Sequence, residues 1–217
     1  ALQGDLGMSA SGRKSIAELV GHRMKNSLLL AAVSLSVGVP MAIFLGVITG
    51  LWRDRPIDLF FSTAAILAMT IPEFVSATVL ILIFSVWLGW LPSIAGTGTW
   101  AWVLPVATLS FALAPNLIRV VAASVEDTTR QDYYRTAKAN GAAPNVLLIK
   151  HSLPNALLST TSLLGAQFAF LLSGALITEY IFAWPGLGLI LVQSITNLDF
   201  PTIQATVFVV AYLVFVV

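Results

Sequence analysis

Long intervals without a charged residue constrain this chain more than any other feature of its sequence. The intervals are residues 26–52, 74–118, 151–178 and 200–217. Of the 217 residues, 58% are hydrophobic and 10% charged, whereas about a quarter of a soluble domain is charged. Folded in water, such a chain would expose large apolar patches. Inside lipid, intact helices satisfy the backbone, so the sequence predicts an all-α, polytopic membrane protein.

The apolar runs predict about five membrane spans, since about 20 apolar residues cross the hydrocarbon core. The expected spans are residues 27–51, 57–90, 102–123, 155–178 and an incomplete 202–217. The second run is longer than one span needs, and Pro72 is expected to bend it. All six Trp lie at or beyond the proposed span ends, where indoles prefer the headgroup level.

The Lys and Arg residues predict the orientation. Seven of them lie on the side of the 52–56 and 119–155 segments, and four lie on the other side. By the positive-inside rule, residues 124–154 form a cytoplasmic loop. Residues 1–26 then form an extracytoplasmic or interfacial segment, and residues 179–201 form an outer loop. The net charge of +1 gives no indication of a nucleic-acid partner.

The cytoplasmic loop has the pattern of a short helical hairpin. Thr129 and Asp132 fit a capping box that begins a helix, and Gly141 fits the left-handed residue that ends one. A second helical piece is expected over residues 146–152, and Pro154 is expected to mark a turn into the fourth span. Helical spacing puts two stripes on the first helix: Tyr133, Ala137 and Gly141 on one, and Arg130, Tyr134 and Lys138 on the other.

This loop resembles the coupling loop of ABC importer permeases, which reads Glu-Ala-Ala-x3-Gly-x9-Ile-x-Leu-Pro. Here the same spacing joins Arg135-Thr136-Ala137, Gly141 and His151-Ser152-Leu153-Pro154. The departures at Arg135, Thr136 and His151 are similar to the peptide and nickel branch of that family. The run from Gly174 to Gly188, with Thr178-Glu179-Tyr180-Ile181-Phe182 and Trp184-Pro185-Gly186-Leu187-Gly188, looks like the outer loop of the same permeases. Further matches are Asp5-Leu6-Gly7, Leu88-Gly89-Trp90-Leu91-Pro92, Asp199-Phe200-Pro201 and Gln204.

The resemblance implies a type I ABC importer permease fold in a bacterial inner membrane. It implies a transport subunit for dipeptides or oligopeptides, not an enzyme, with ATP and Mg bound by a partner ATPase and no cofactor in this chain. The implied partners are a second permease subunit, two ATPase subunits, an extracytoplasmic substrate-binding protein and lipid. The family usually has one more span at the N-terminus and a complete last span, so we expect this sequence to be part of a longer subunit.

Within the coupling loop, the resemblance assigns the contact with the ATPase to a set of side chains. They are Arg130, Asp132, Tyr133, Tyr134, Arg135, Ala137, Lys138, Gly141, Leu153 and Pro154. Polar and charged members are expected to touch the ATPase, while Ala137 and Gly141 allow close packing. The alternative is that these residues only shape an ordinary loop.

Three acidic residues near membrane boundaries are further candidates. Glu73, following Pro72, is expected either to line the translocation path, since an intramembrane carboxylate faces a water-filled route, or to cap the helix that restarts there. Glu179 and Asp199 flank the outer loop and are expected either to contact the binding protein or to be solvated. His22 and His151 lack the spacing of a metal site, so no metal is expected.

Two alternatives stay open. One is a permease for another solute, such as a nickel chelate or an oligosaccharide. The other is an ion-coupled secondary transporter that uses Glu73 as a relay. The second leaves the cytoplasmic loop unexplained, and the sequence has no internal repeat of the kind that many secondary transporters carry.

Overall fold

The computed structural model describes Met8, residues 15–96 and residues 98–216, apart from the side chains of Ala156 and Ser159. Most of these residues are helical. The α-helices are α1 Ile16–Leu51, α2 Pro56–Thr70, α3 Glu73–Leu80, α4 Val103–Arg130, α5 Asp132–Ala139, α6 Pro144–Leu147, α7 Leu153–Ile181, α8 Leu187–Thr196 and α9 Phe200–Val216. Two π-helical segments, Ile81–Trp87 and Leu148–Ser152, continue α3 and α6.

Three described helices are long and apolar enough to cross a membrane: Ile16–Leu51, Val103–Arg130 and Thr160–Ile181. Pro56–Thr70 and Glu73–Trp87, which form a bent pair, make a fourth if they are one span. The expected fifth span coincides with α9, which has 17 described residues and counts only as a shorter apolar helix. The described residues thus provide three helices of full length, or four if the bent pair is one span, and α9 lies where the sequence predicted an incomplete span.

The predicted break at Pro72 is confirmed. Ile71 and Pro72 both have extended backbone, with ψ of 117° and 144°. A residue before proline is disfavoured in the α region because it collides with the proline ring. The helix therefore stops at Thr70 and restarts at Glu73.

Several other helix boundaries differ from the sequence prediction. α1 begins at Ile16, inside the segment expected to precede the first span. α4 continues to Arg130, well into the expected cytoplasmic loop. The expected outer loop contains the ten-residue α8. In the first two cases helix continues through polar residues beside an apolar run, which a hydropathy boundary does not detect, whereas α8 is a separate and mostly apolar helix.

The chain forms two compact units, and one consists of Ser36–Ile71 and Ser110–Gln167. Gly46 and Gly50 of α1 pack here against α4. A Cβ on Gly46 would lie 2.6 Å from the Val121 Cβ, and one on Gly50 would lie 2.7 Å from the Ala122 carbonyl oxygen. Small residues four positions apart let helices approach this closely.

The other unit consists of Ala1–Leu35, Pro72–Leu109 and Phe168–Val217. Its described residues include two buried apolar clusters. The first joins α1, α8 and α9 through Ile16, Val20, Leu187 and Ala205. The second consists of Ala77, Leu104 and Phe182, of which Phe182 is the largest fully buried side chain. These clusters hold the 182–188 segment against its neighbours.

Candidate functional site

The first candidate site is the coupling segment, residues 129–154, and it begins differently from the prediction. The capping box is wrong, because Thr129 still belongs to α4. Its hydroxyl donates to the Glu126 carbonyl at 2.7 Å, a local bond that Ser and Thr often make within helices. The N-cap of α5 is Gln131, without a side-chain bond. Arg130 also belongs to α4 and pairs with Glu126 at 2.5 Å, so it is not on the first helix of the hairpin.

The turn after α5 agrees with the prediction. Gly141 has a φ of +81°. Its N–H donates to the Lys138 carbonyl, and the Ala142 N–H donates to the Ala137 carbonyl, both at 3.1 Å. These two bonds define a Schellman motif, in which glycine adopts the left-handed conformation without a steric penalty. Gly141 therefore fixes the direction in which the chain leaves α5.

The second half of the hairpin is more continuous than predicted. Pro144 begins α6, in the first-turn position that proline favours. Helix then continues through Leu148–Ser152 into α7. The expected turn at Pro154 is wrong, because the chain is helical on both sides of this proline, from Leu148–Ser152 into α7. From residue 144 onward one unbroken helical path enters the membrane span.

The coupling segment is largely exposed. None of the eight α5 residues is buried. Tyr133 is 45% exposed; its hydroxyl accepts from the Asn155 side chain at 2.8 Å, and its ring lies 5.9 Å from the His151 ring. We name the exposed side chains of this segment the coupling surface: Asp132, Tyr133, Arg135, Lys138, Val146 and Ile149.

Sequence reasoning did not identify Val146, Ile149 or Asn155. Ile149 is 62% exposed and Val146 is 38% exposed. The two stand three positions apart at the ends of the apolar run 146–149, a spacing that puts both on one side of a helix. That spacing is the signal that would have found them. Of the remaining expected contacts, Tyr134, Ala137 and Leu153 are half-buried, whereas Pro154 is exposed.

Glu73 lies at the start of α3, and its side chain meets α7. The Thr178 hydroxyl donates to one carboxylate oxygen. The other oxygen occupies the space that a side chain at position 174 would need, so Gly174 leaves room for the Glu73 carboxylate. Glu73 is half-buried, and Pro72 is exposed. The structure thus brings together two regions, Pro72-Glu73 and the 174–188 run, that sequence reasoning treated separately.

Glu179 lies in the last turn of α7, next to the expected outer loop, and is fully buried. The Gly188 N–H donates to its Oε2 atom at 2.6 Å, and a Cβ on Gly186 would overlap its carboxylate. The sequence suggested that Glu179 contacts a binding protein. In this structure its carboxylate is fully buried and is not placed for such a contact.

Asp199 is also buried, at 8% exposure. It caps α9: Oδ2 accepts from the Thr202 hydroxyl at 2.8 Å, and Oδ1 accepts from the Thr202 N–H at 3.3 Å. This is the bonding of an N-cap residue. The solvated alternative is wrong for Asp199, because its carboxylate is buried and bonds to Thr202. Its contact with a binding protein stays a prediction.

This arrangement, a set of apolar helices with an exposed helical hairpin, defines the class of the protein as a multi-pass helical membrane protein. A solved structure described as an amino acid ABC transporter has the same fold, with a TM-score of 0.70 over 92% of this chain and 89% of that chain, at 18% identity.

Residues 42–217 match the family described as the inner membrane component of binding-protein-dependent transport systems. The glutathione transport system permease protein GsiC of Escherichia coli O6:H1 is 38% identical over 95% of this chain and 68% of its own length. The corresponding protein of Pectobacterium atrosepticum is 38% identical over 95% and 67%. The chain belongs to this family, as an ABC importer permease of the peptide and nickel branch and a multi-pass subunit of a multi-subunit importer.

Proposed function

We propose that this chain forms part of the pathway of an ATP-driven peptide importer in the bacterial inner membrane. It works with a second permease subunit, two ATPase subunits that bind ATP and Mg, and an extracytoplasmic substrate-binding protein. The relatives named as glutathione permeases support the peptide class, because glutathione is a tripeptide. The fold and the family support the multi-subunit assembly.

The observation that carries this proposal is the exposure of most α5 side chains. A helix of eight residues is only marginally stable in water by itself, and α5 has no buried residue to hold it. A short helix without buried residues is suited to bind in a cleft of another subunit. Arg135 and Lys138 add positive charge that favours an acidic partner surface. We assign that surface to the ATPase subunit.

The coupling surface is also connected to a membrane span by continuous helix. The Schellman turn at Gly141 sets the direction between α5 and α6, and helix continues from Pro144 to Ile181. In our proposal, a displacement of α5 by the ATPase passes along this continuous helix. Pro72 and Glu73 stay proposed as path residues, because an ionisable side chain within a span favours the protein interior or a water-filled route.

The test replaces Gly141 with alanine in the full-length subunit. Alanine at a φ of +81° costs about 1–2 kcal/mol, while its Cβ meets no other atom within 4 Å. We expect Gly141→Ala to reduce peptide uptake per ATP hydrolysed several-fold in proteoliposomes with all partner subunits. Gly89→Ala is the matched control, because Gly89 has a φ of +64° and equally open surroundings in the segment after the α3 helix.

Equal coupling in the two variants would contradict the role of the Gly141 turn. Uptake by the purified chain alone, driven by an ion gradient and insensitive to Gly141, would contradict the importer function itself. Glu73 would then be the residue to study, as the relay of a secondary transporter. Selective uptake of nickel chelates or oligosaccharides would retain the importer mechanism and correct the substrate class.

A further inference from the structure

A cleft of about 570 Å³ lies within the unit formed by residues 36–71 and 110–167. Its lining includes Arg53, Ser62, Ile66, Asn116, Arg119 and Glu126. Pockets that bind small molecules have volumes of about 300–1,000 Å³ and place a few polar groups among apolar ones. The cleft has the size and the mixed lining of such a site.

The carboxylate in this cleft is already paired. Glu126 lies 3.5 Å from the Arg53 side chain and 2.5 Å from the Arg130 side chain. Arg53 also lies 3.7 Å from the buried Asp58. Arg53 and Glu126 thus offset each other's charge within the lining.

Arg119 has no such partner among the described residues. Its recorded side-chain contact is with the Met69 sulfur, at 3.7 Å from Nη1. A thioether sulfur is a weak hydrogen-bond acceptor, and Arg119 is otherwise exposed. The lining therefore holds one guanidinium group with no carboxylate to neutralise it.

Arg119 lies in the half of the membrane-crossing helix α4 that leads to the expected cytoplasmic loop. It stands 16 residues after Val103 and 11 before Arg130, or about 24 Å and about 17 Å along the helix axis. The hydrocarbon core is about 30 Å thick. A charged residue inside a span is costly in lipid and faces the protein interior or a water-filled route. The cleft supplies that environment.

We propose that Arg119 binds the carboxylate group of the transported solute while the solute occupies this cleft. The inference rests on the proposed function and names the group that the permease itself recognises, the free carboxylate of a short peptide. A guanidinium group binds a carboxylate through two parallel hydrogen bonds. Asn116, one helical turn earlier on the same cleft, offers a neutral amide donor beside it.

The experiment measures uptake of trialanine and of trialanine amide by the complete importer in proteoliposomes. Each peptide is supplied bound to the substrate-binding protein at a saturating concentration. We expect wild type to transport the free acid at least about tenfold faster than the amide, a ratio that corresponds to about 1.4 kcal/mol. Arg119→Gln should bring the ratio close to one by slowing the acid, and Arg119→Lys should retain part of it.

The control is Arg55→Gln, which removes an exposed arginine of the same unit and should leave the ratio unchanged. An unchanged ratio of acid to amide uptake in Arg119→Gln would overturn the inference about Arg119. ATP-driven peptide uptake by wild type would, in that case, still support the proposed function. Loss of the second permease subunit from the purified Arg119→Gln complex would also overturn it, because Arg119 would then be a contact between subunits. No ATP-driven peptide uptake by wild type would overturn both.

Discussion

The 182–188 segment and the coupling segment are both glycine-containing turns that carry family motifs, yet they differ in where their polar groups are bonded. In the 182–188 segment, the Trp184 N–H donates to the Glu179 carbonyl at 2.8 Å. The Leu187 N–H donates to the Ser27 hydroxyl at 2.8 Å, and the Asn26 amide donates to the Pro185 carbonyl at 2.8 Å. In the coupling segment, α5 bonds mainly within itself, and Tyr133 bonds to Asn155.

The difference shows that a motif does not by itself indicate a surface for a partner. The outer motif is satisfied inside the chain, where Glu179 and its surrounding glycines are buried. The cytoplasmic motif leaves its side chains exposed and its short helix unsupported. Substitutions in the first region should therefore alter folding, whereas substitutions in the second should alter assembly.

Gly188→Ala should have the largest effect on stability. Its Cβ would overlap the Leu176 backbone, which cannot move aside as a flexible side chain can. Overpacking of this kind costs about 1–3 kcal/mol, and we expect the upper end of that range. Thermal unfolding of the full-length subunit in detergent measures it. Gly21→Ala in α1 is the control, because its Cβ meets no atom within 4 Å. Equal stability of the two variants would contradict our conclusion that the 182–188 segment is closely packed inside the protein.

Asp199→Ala should have an intermediate effect, because it removes the cap of α9. Loss of an N-cap carboxylate costs about 0.5–2 kcal/mol. Asp199→Asn keeps an oxygen acceptor and should restore most of the stability, as measured by the same unfolding assay. If Asp199→Ala instead left stability intact and weakened binding-protein affinity, the outer region would be a partner surface and the comparison would fail.

Arg135→Gln should have the smallest effect on stability. The residue is exposed and forms no ion pair within the described residues, so we expect a change within about 0.5 kcal/mol. Affinity for the ATPase subunit should fall, because a positive charge is lost from the coupling surface. Titration of detergent-solubilised subunit with the ATPase, at low and high salt, checks this. Unchanged affinity for the ATPase together with reduced stability would show that Arg135 stabilises the fold and does not contact the ATPase.

Much of the fold could be predicted because its signals are local. Ile71 stands before a proline, and Gly141 occupies a left-handed turn, so both breaks are determined by backbone sterics within a few residues. The start of α5 could not be predicted in this way. Thr129 satisfies the pattern of a cap equally well whether it begins one helix or ends the preceding one.

The candidate site was predicted in part for the same reason. The exposed α5 and its turn follow from residues close together in the sequence. The burial of Glu179 depends on Gly186 and Gly188, and that of Glu73 depends on Gly174 and Thr178 of another helix. The sequence alone does not distinguish a carboxylate that is exposed from one that is buried.

The sequence by itself determined that this chain is a helical membrane protein and where its main breaks fall, and it predicted which motif faces the cytoplasm. Hydropathy, charge and proline or glycine sterics act over short stretches of chain, so they can be interpreted without coordinates. Only the tertiary structure decided that Glu179 and Asp199 are internal and that Arg119 stands in a cleft without a carboxylate partner. These properties depend on neighbours contributed by distant segments, and packing alone brings them together.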